Sequence, residues 1–294
     1  MTMLRSLRAA TSGLLLGLAG HAAHAAAAAV ITPDPLPRAV ETDQAGLDQL
    51  DPVTLSANFV DRVIHDLPVA AHLDRFRDLD PDALDAALDT RERRLAFWIN
   101  IYNGYTQHFL KTDPSLYLND RPAYFGLDQV AIAHDLVSLE DIEHGVLRRG
   151  ATTYTLGHVR TLFLRRDFIQ RFAVDTVDYR IHFALNCGAL SCPPVMPYTA
   201  TAVDQQLDAM STCYLQQESR HDADAGRVAV PRLLRWFSAD FDGGSDTAKR
   251  AILRRYGVIP EGTEPEIDYR EYDWTMVIRN YAFYQAGNGS LSDR

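Results

Sequence analysis

The stretch RERRLAFWINIYNGYTQHFLK, residues 91–111, constrains the fold more than any other. On a helix turning about 100° per residue, Arg93, Asn100, Asn103 and Gln107 fall in a stripe roughly 80° wide. Trp98, Ile99, Ile101, Tyr102, Tyr105 and Phe109 cover most of the rest. A helix apolar over so much of its girth must be wrapped by other elements. The polar stripe has two readings. Either it meets water, or it faces a cleft where its amides hold a ligand carbonyl or orient a catalytic group. Asparagine is a poor helix former, so two of them in mid-helix suggest a purpose.

Around this helix the pattern is mixed. Asp80-Pro81 is an N-cap and N1 pair for a short helix through about Leu88, and Thr90 caps the long helix. Ser138 with Asp141 starts LEDIEHGVLRRG in capping-box style, and Gly150 sits where a C′ residue belongs. TTYTL (152–156) and YRIHFAL (179–185) alternate like strands, with the helical pattern TLFLRRDFIQRF between them. Val203, Leu207, Met210 and Tyr214 recur at helical spacing. VAVPRLLRWF reads as a short strand entering a loop or helix, and Ser245-Asp246 caps a helix that Gly257 ends. The elements do not alternate cleanly enough for a doubly wound sheet. The expectation is one α+β domain over residues 51–294, with helices packed around a small, mostly antiparallel sheet.

The chain opens MTMLRSLRAATSGLLLGLAGHAAHA. Arg5 and Arg8 form a basic region, Gly13 to Leu18 a short apolar core, and Ala23-His24-Ala25 a small-x-small site. That pattern predicts a signal peptide over residues 1–25 cleaved near Ala25, the alternative being an uncleaved anchor. The protein would then be periplasmic or secreted, with no integral membrane segment after cleavage. Residues 26–50 read as an Ala/Pro-rich leader. Removing Arg5 and Arg8 would take the formal charge from −10 to −12, which argues against nucleic acid as a partner. A hydrophobic fraction of 47% makes a large buried core feasible.

Three stretches invite chemistry. In SLEDIEHGVLRR, Leu139, Ile142 and Val146 form the buried face, and His144 lies one turn after Glu140 and one turn before Arg148. This is a solvated charge network, a catalytic base or ligand contact, or a metal site completed from elsewhere. The second is the polar stripe of the long helix. The third is HFALNCGALSCPP (182–194). On a strand, Ile181, Phe183 and Leu185 would face the core, while His182, Ala184 and Asn186 would present an imidazole and a carboxamide to a cleft. Pro193 and Pro194 fix the backbone after Cys192. Cys187 reads as core, and Cys213 as structural or a disulfide partner. Cys192 is a nucleophile activated by His182 or His144, one half of a disulfide with Cys187 or Cys213, or inert. Zinc is disfavoured because paired Cys-x-x-Cys spacing is missing. Neither a metal nor another cofactor is expected.

Five stretches together resemble a bacterial and plant family, the domain of unknown function 547: AFWINIYNGY (96–105), SLEDIEHGVLR (138–148), RIHFALNCGALSCPP (180–194), VPRLLRWFSADF (230–241) and IDYREYDWTM (267–276). They span nearly the whole chain after about residue 52. The family's motif positions fall here on Trp98, Asn100, Tyr102, Asn103, Glu143, His144, Arg148, His182, Cys187, Ser191, Cys192 and Pro193. The VIRN after the last stretch departs from the usual pattern, in which a small or polar pair ends in asparagine. The resemblance implies a site, and the family invites analogy with papain-like and transglutaminase-like thiol enzymes.

The leading expectation is therefore an exported thiol-dependent hydrolase or acyltransferase acting on an amide or ester, with a small-molecule or peptide-like substrate. Cys192 would attack and His182 would act as base, with His144 the alternative. Asn186 or Asn103 would orient the imidazole, and amides of the Gly188–Ser191 turn, or Asn100, would hold the oxyanion. Trp98, Asn100, Asn103, Glu143, Arg148 and Ser191 are the candidate binding residues. The histidine precedes the cysteine in the chain, which excludes a simple papain topology. The competing expectation is a non-catalytic envelope domain that binds a small molecule or peptide and has its cysteines paired. A weaker third is a metal-dependent enzyme using His144, His182 and acidic residues.

Overall fold

The structure, a computed structural model, describes residues 44–151, 156–158, 166–285 and 290–292. Five helices open it: α1 (Gln44–Asp48), α2 (Pro52–Ile64), α3 (Ala70–Arg77), α4 (Pro81–Ala87) and α5 (Arg91–Thr112). The caps form as the sequence predicts. Asp80 Oδ1 accepts from Ala83 N (2.8 Å), with Pro81 at the first helical position, and Thr90 Oγ1 accepts from Arg93 N (3.2 Å). Because α1 carries the buried Leu47 into the core, the folded part begins before residue 51.

Helix α5 is the axle. Every residue from Leu95 to Gln107 is buried, and its largest contact is with α2. At Gly104 the two helices come so close that a Cβ would collide with the Phe59 ring. Arg93 at the start of the polar stripe is part-exposed and pairs with Asp51, but from Asn100 to Gln107 the stripe faces neither water nor a cleft. It grips irregular backbone instead. Asn100 Nδ2 donates to Ser56 Oγ (3.0 Å) and Tyr198 O (2.8 Å), and its Oδ1 accepts from Tyr198 N (2.8 Å). Asn103 Nδ2 donates to Ala184 O (2.9 Å) while its Oδ1 accepts from Asn186 N (2.8 Å). Gln107 Nε2 donates to Asn186 Oδ1 (3.0 Å). Buried main-chain groups outside sheets and helices need such partners, and this ladder supplies them.

The sheets are small. Strands β1 (Val130–Ile132) and β2 (Asp135–Val137) pair antiparallel. Strands β3 (Arg220–Asp222), β4 (Arg227–Val230) and β5 (Glu266–Tyr269) form a sheet in that order, with β3–β4 antiparallel and β4–β5 parallel. Strands β6 (Phe283–Gln285) and β7 (Ser290–Ser292) make an antiparallel pair. With these sheets set among helices, the protein is an α+β single domain. Helices at Val203–Glu218, Leu233–Trp236 and Asp246–Arg255 meet the expectation, the last capped by Ser245.

Two sequence expectations are corrected. YRIHFAL is not a strand: Tyr179–Phe183 is a 3-10 helix, capped by Asp178, whose carboxylate accepts from Arg180 N (3.0 Å) and pairs with the Arg180 guanidinium. Alternation misled because this segment is buried nearly all round, so it shows no strand-like solvent face. Second, the helix after Ser138 is a π-helix over Asp141–Leu147. Most of TTYTL, the first half of TLFLRRDFIQRF, the signal peptide and most of the leader lie outside the described residues, while Arg166–Phe172 is helical.

Two apolar cores form. One gathers α2, α5 and the 130s, and the other gathers Phe183, Tyr214, β4 and the helix Asp246–Arg255. Asn103→Ala would strand a buried N–H at Asn186 and a buried C=O at Ala184. It should lower stability by about 2–4 kcal/mol, read as an earlier urea midpoint by circular dichroism. An unchanged midpoint would remove the ladder from this role.

Candidate functional site

A cavity of about 330 Å³ opens at the seam of the two cores, lined from one side by Tyr102, Phe125 and Leu185 and from the other by Leu233, Trp236, Phe237 and Tyr272. Glu140, Glu143, His144, His182 and Cys187 also line it.

The π-helix places the first acid and base. Ser138 N and Oγ each donate to Asp141 Oδ2 (3.0 Å), and Asp141 N donates back to Ser138 Oγ (3.0 Å), the reciprocal cap that the sequence suggests. The turn then widens: Arg148 N donates to Glu143 O (3.0 Å), five residues back. Ile142, Val146 and Leu147 are wholly buried, while the neighbours Glu143 and His144 both reach the cavity. Such wide turns are rare and recur at functional sites. Arg149 (φ 54°) and Gly150 (φ 78°) end it in the left-handed region, with Arg149 rather than the expected glycine at the C′ place and Gly150 one residue beyond.

Asp240 organises the floor. Its Oδ2 accepts from His182 Nε2 (2.8 Å) and from Arg148 Nε (2.6 Å). Burial raises the Asp240 carboxyl, but the hydrogen bonds from His182 and Arg148 and the Arg148 charge outweigh it and hold the group below the usual carboxylate range. Arg148, fully buried, also points Nη1 at His144 Nδ1 (3.1 Å) and Ala151 O (3.1 Å). A guanidinium only donates, so His144 Nδ1 is the acceptor and the proton of the neutral ring sits on Nε2. His182 lies flat on Phe237, centroids 4.0 Å apart and planes 6° off parallel. Burial lowers the pKa of both imidazoles. Arg148 adds to this in each, while Asp240 opposes it in His182 and Glu143 in His144. Both rings are neutral near pH 7. Tyr102 faces Glu143, and burial together with that carboxylate holds its phenol well above the usual range.

The cysteine loop is not built for thiol attack in this structure. Cys192 is bonded to Cys187, with Cα atoms 6.0 Å apart, and Cys213 stays outside the pair. Cys187, expected in the core, reaches the cavity; Cys192 is buried. The amides expected to hold an oxyanion are occupied. Gly188 N donates to Asn186 Oδ1 (2.9 Å), Leu190 N to Thr275 O (2.8 Å) and Ser191 N to Asp273 O (3.2 Å), and Ala189 N points at Cys192 Sγ (3.3 Å).

Of the candidate site residues, His182, His144, Glu143 and Arg148 are brought together. Asn186, Asn100 and Asn103 belong to the buried ladder, and Asn186 Nδ2 is further engaged by Pro193 O (2.6 Å). Trp98 packs against Phe168 and Phe172, with ring centroids 5.6 and 5.5 Å away. Ser191 Oγ accepts from Asp273 N (2.9 Å), away from the cavity. Sequence reasoning gave no role to Asp240, Trp236, Phe237, Tyr272 or Trp274. All five sit inside stretches whose family resemblance was legible, which was the available signal. Among the described residues no three His, Cys, Asp or Glu side chains converge to hold a metal ion, and no helix is long and apolar enough to cross a membrane.

Because the buried histidines refuse protons that the unfolded chain accepts below its ordinary value of 6.5, they cost nothing above that pH. They weaken the fold as pH falls beneath it. The urea midpoint should therefore drop between pH 7 and 5, and His182→Gln should flatten that slope. A slope identical in the variant would contradict a neutral, buried His182.

Searches of curated proteins and of solved structures found no match. A family model described as "Protein of unknown function, DUF547" matches residues 86–215. That span holds the α5 stretch, the π-helix and the disulfide loop, whereas the stretches carrying Asp240 and Tyr272 lie beyond it. Over residues 86–215, the chain resembles the DUF547 family.

Proposed function

We propose that the protein is exported and that the seam cavity binds a small-molecule or peptide-like ligand, with the disulfide as part of its wall. The observation that carries this reading is the Cys187–Cys192 bond beside a concave, mostly apolar site with a few convergent polar groups. An exported chain meets oxidants, so a lasting disulfide fits the leader sequence. Intact-mass analysis of the secreted protein should give a chain starting near Ala26. Iodoacetamide should add at most one carbamidomethyl group, at Cys213, without reductant and three after reduction. Rapid alkylation of Cys192 without reductant would overturn the reading and restore a thiol nucleophile.

A second reading has its own support, the presence on one cavity of Glu143 and of a neutral His144 whose proton sits on Nε2. Hydrolysis of an amide or ester would then need no thiol. Glu143 would take a proton from water as it attacks the carbonyl carbon, His144 Nε2–H would hydrogen-bond the carbonyl oxygen as charge develops there, and the proton held on Glu143 would pass to the leaving alkoxide or amine as the C–O or C–N bond breaks. On p-nitrophenyl acetate, Glu143→Gln should slow turnover at least about 100-fold, general-base loss being of that order, and reductant should leave the wild-type rate unchanged. Turnover that survives the substitution sinks this reading.

A further inference from the structure

The cavity's charge and its walls point to one ligand chemistry. Two carboxylates, Glu140 and Glu143, line it, and among the described lining residues there is neither lysine nor arginine. Burial and the like charges of Glu143 and Asp141 raise the Glu140 carboxyl, so each added negative charge near this pair is resisted. The two lining histidines bring no compensating charge at neutral pH. Arg148, just behind them, is spent on Asp240.

The apolar wall is aromatic. Trp236, Tyr272 and Trp274 pack on one another with ring centroids 4.6 to 5.9 Å apart, and Phe125 and Tyr102 line the same space. Aromatic faces carry negative potential and attract cations, most strongly when the cation is desolvated. This wall already does so within the molecule: the Arg121 guanidinium lies 4.5 Å from the Trp274 ring centroid.

We infer that the cavity takes a small organic ammonium, its cationic head between Glu143 and the Trp236–Tyr272–Trp274 wall. The inference rests on the binding reading above and names its ligand class. An anion would meet two carboxylates, and the guanidinium nearest the wall, Arg121, is already stacked on the Trp274 ring. A neutral ligand would strip water from Glu143, whose side chain is 16% exposed, and leave the charge unpaired. Only a cation satisfies the carboxylates and the rings together. A cavity of about 330 Å³ suits a head group of a few heavy atoms with a short tail. The same ammonium chemistry could come from a free amine or from a lysine side chain.

Tryptophans 236 and 274 provide the readout. Choline, its uncharged isostere 3,3-dimethylbutan-1-ol and Nα-acetyl-lysine amide would be titrated into the disulfide-intact protein, following indole fluorescence and checking by calorimetry. Choline or the lysine amide should bind at least about tenfold more tightly than the isostere, the range expected for a desolvated cation–π contact with a carboxylate. Which of the two binds more tightly distinguishes the free amine from the side-chain source. Glu143→Gln should weaken the cation by at least about fivefold and leave the isostere unaffected; circular dichroism of the variant checks that it is folded. If the isostere binds as tightly as the cations, the ammonium inference fails and the cavity reading stands. If all three fail into the millimolar range, the inference falls together with the cavity reading.

Discussion

Asn103 makes the contact on which the rest of the structure depends. Its side chain closes a two-way bridge to the backbone at Ala184 and Asn186, and Asn100 repeats the device at Tyr198. The segment from 184 to 198 has almost no regular secondary structure, its β-pairing being confined to isolated bridges at Ala189–Met276 and Val195–Tyr281. Irregular backbone of that length cannot be buried unless something takes up its N–H and C=O groups. The central helix does so at Ala184, Asn186 and Tyr198 with carboxamides, each able to donate and accept at once, and the backbone of residues 273–282 serves Gly188 to Val195. Holding that segment against α5 sets the positions of His182, the disulfide and one wall of the cavity.

The site is then a problem of electrostatics in a largely buried seam. Asp240 and Arg148 form a buried ion pair that also fixes both imidazoles. Asp240 claims a nitrogen of His182, and Arg148 dictates which nitrogen of His144 accepts. Buried ion pairs contribute little net stability because desolvation offsets their attraction. Keeping two neutral rings oriented is a use that such a pair serves well. With those charges spent internally, the exposed character of the cavity comes from Glu140, Glu143 and the aromatic wall. Its chemistry is therefore acidic and apolar, although an arginine and two histidines stand within reach.

Much of this was legible beforehand, and the failures share one cause. Caps at Asp80, Thr90, Ser138 and Ser245 are local, so residue identity alone located them. Burial of α5 followed from its apolar girth. What misled was taking polarity as a sign of exposure. Asn100, Asn103 and Asn186 read as cleft residues because a buried amide and a ligand-facing amide look alike in sequence. YRIHFAL read as a strand because alternation carries no information in a segment buried on every side. Cys192 was left between nucleophile and disulfide, since the spacing to Cys187 permits a bridge without requiring one.

By itself, the sequence determined the α+β class, the buried central helix, the helix starts and the gathering of Glu143, His144, Arg148 and His182 in stretches with a family resemblance. These follow from short-range rules, 3.6-residue periodicity and the chemistry of caps. Only the tertiary structure decided which polar groups were spent on the fold and which were left for a ligand. Asp240 lies 58 residues from His182 and 92 from Arg148, and such pairings depend on how the whole chain closes. Whether an amide, a thiol or an arginine is available to chemistry depends on its partner, and the partner is chosen by packing across the seam of two cores.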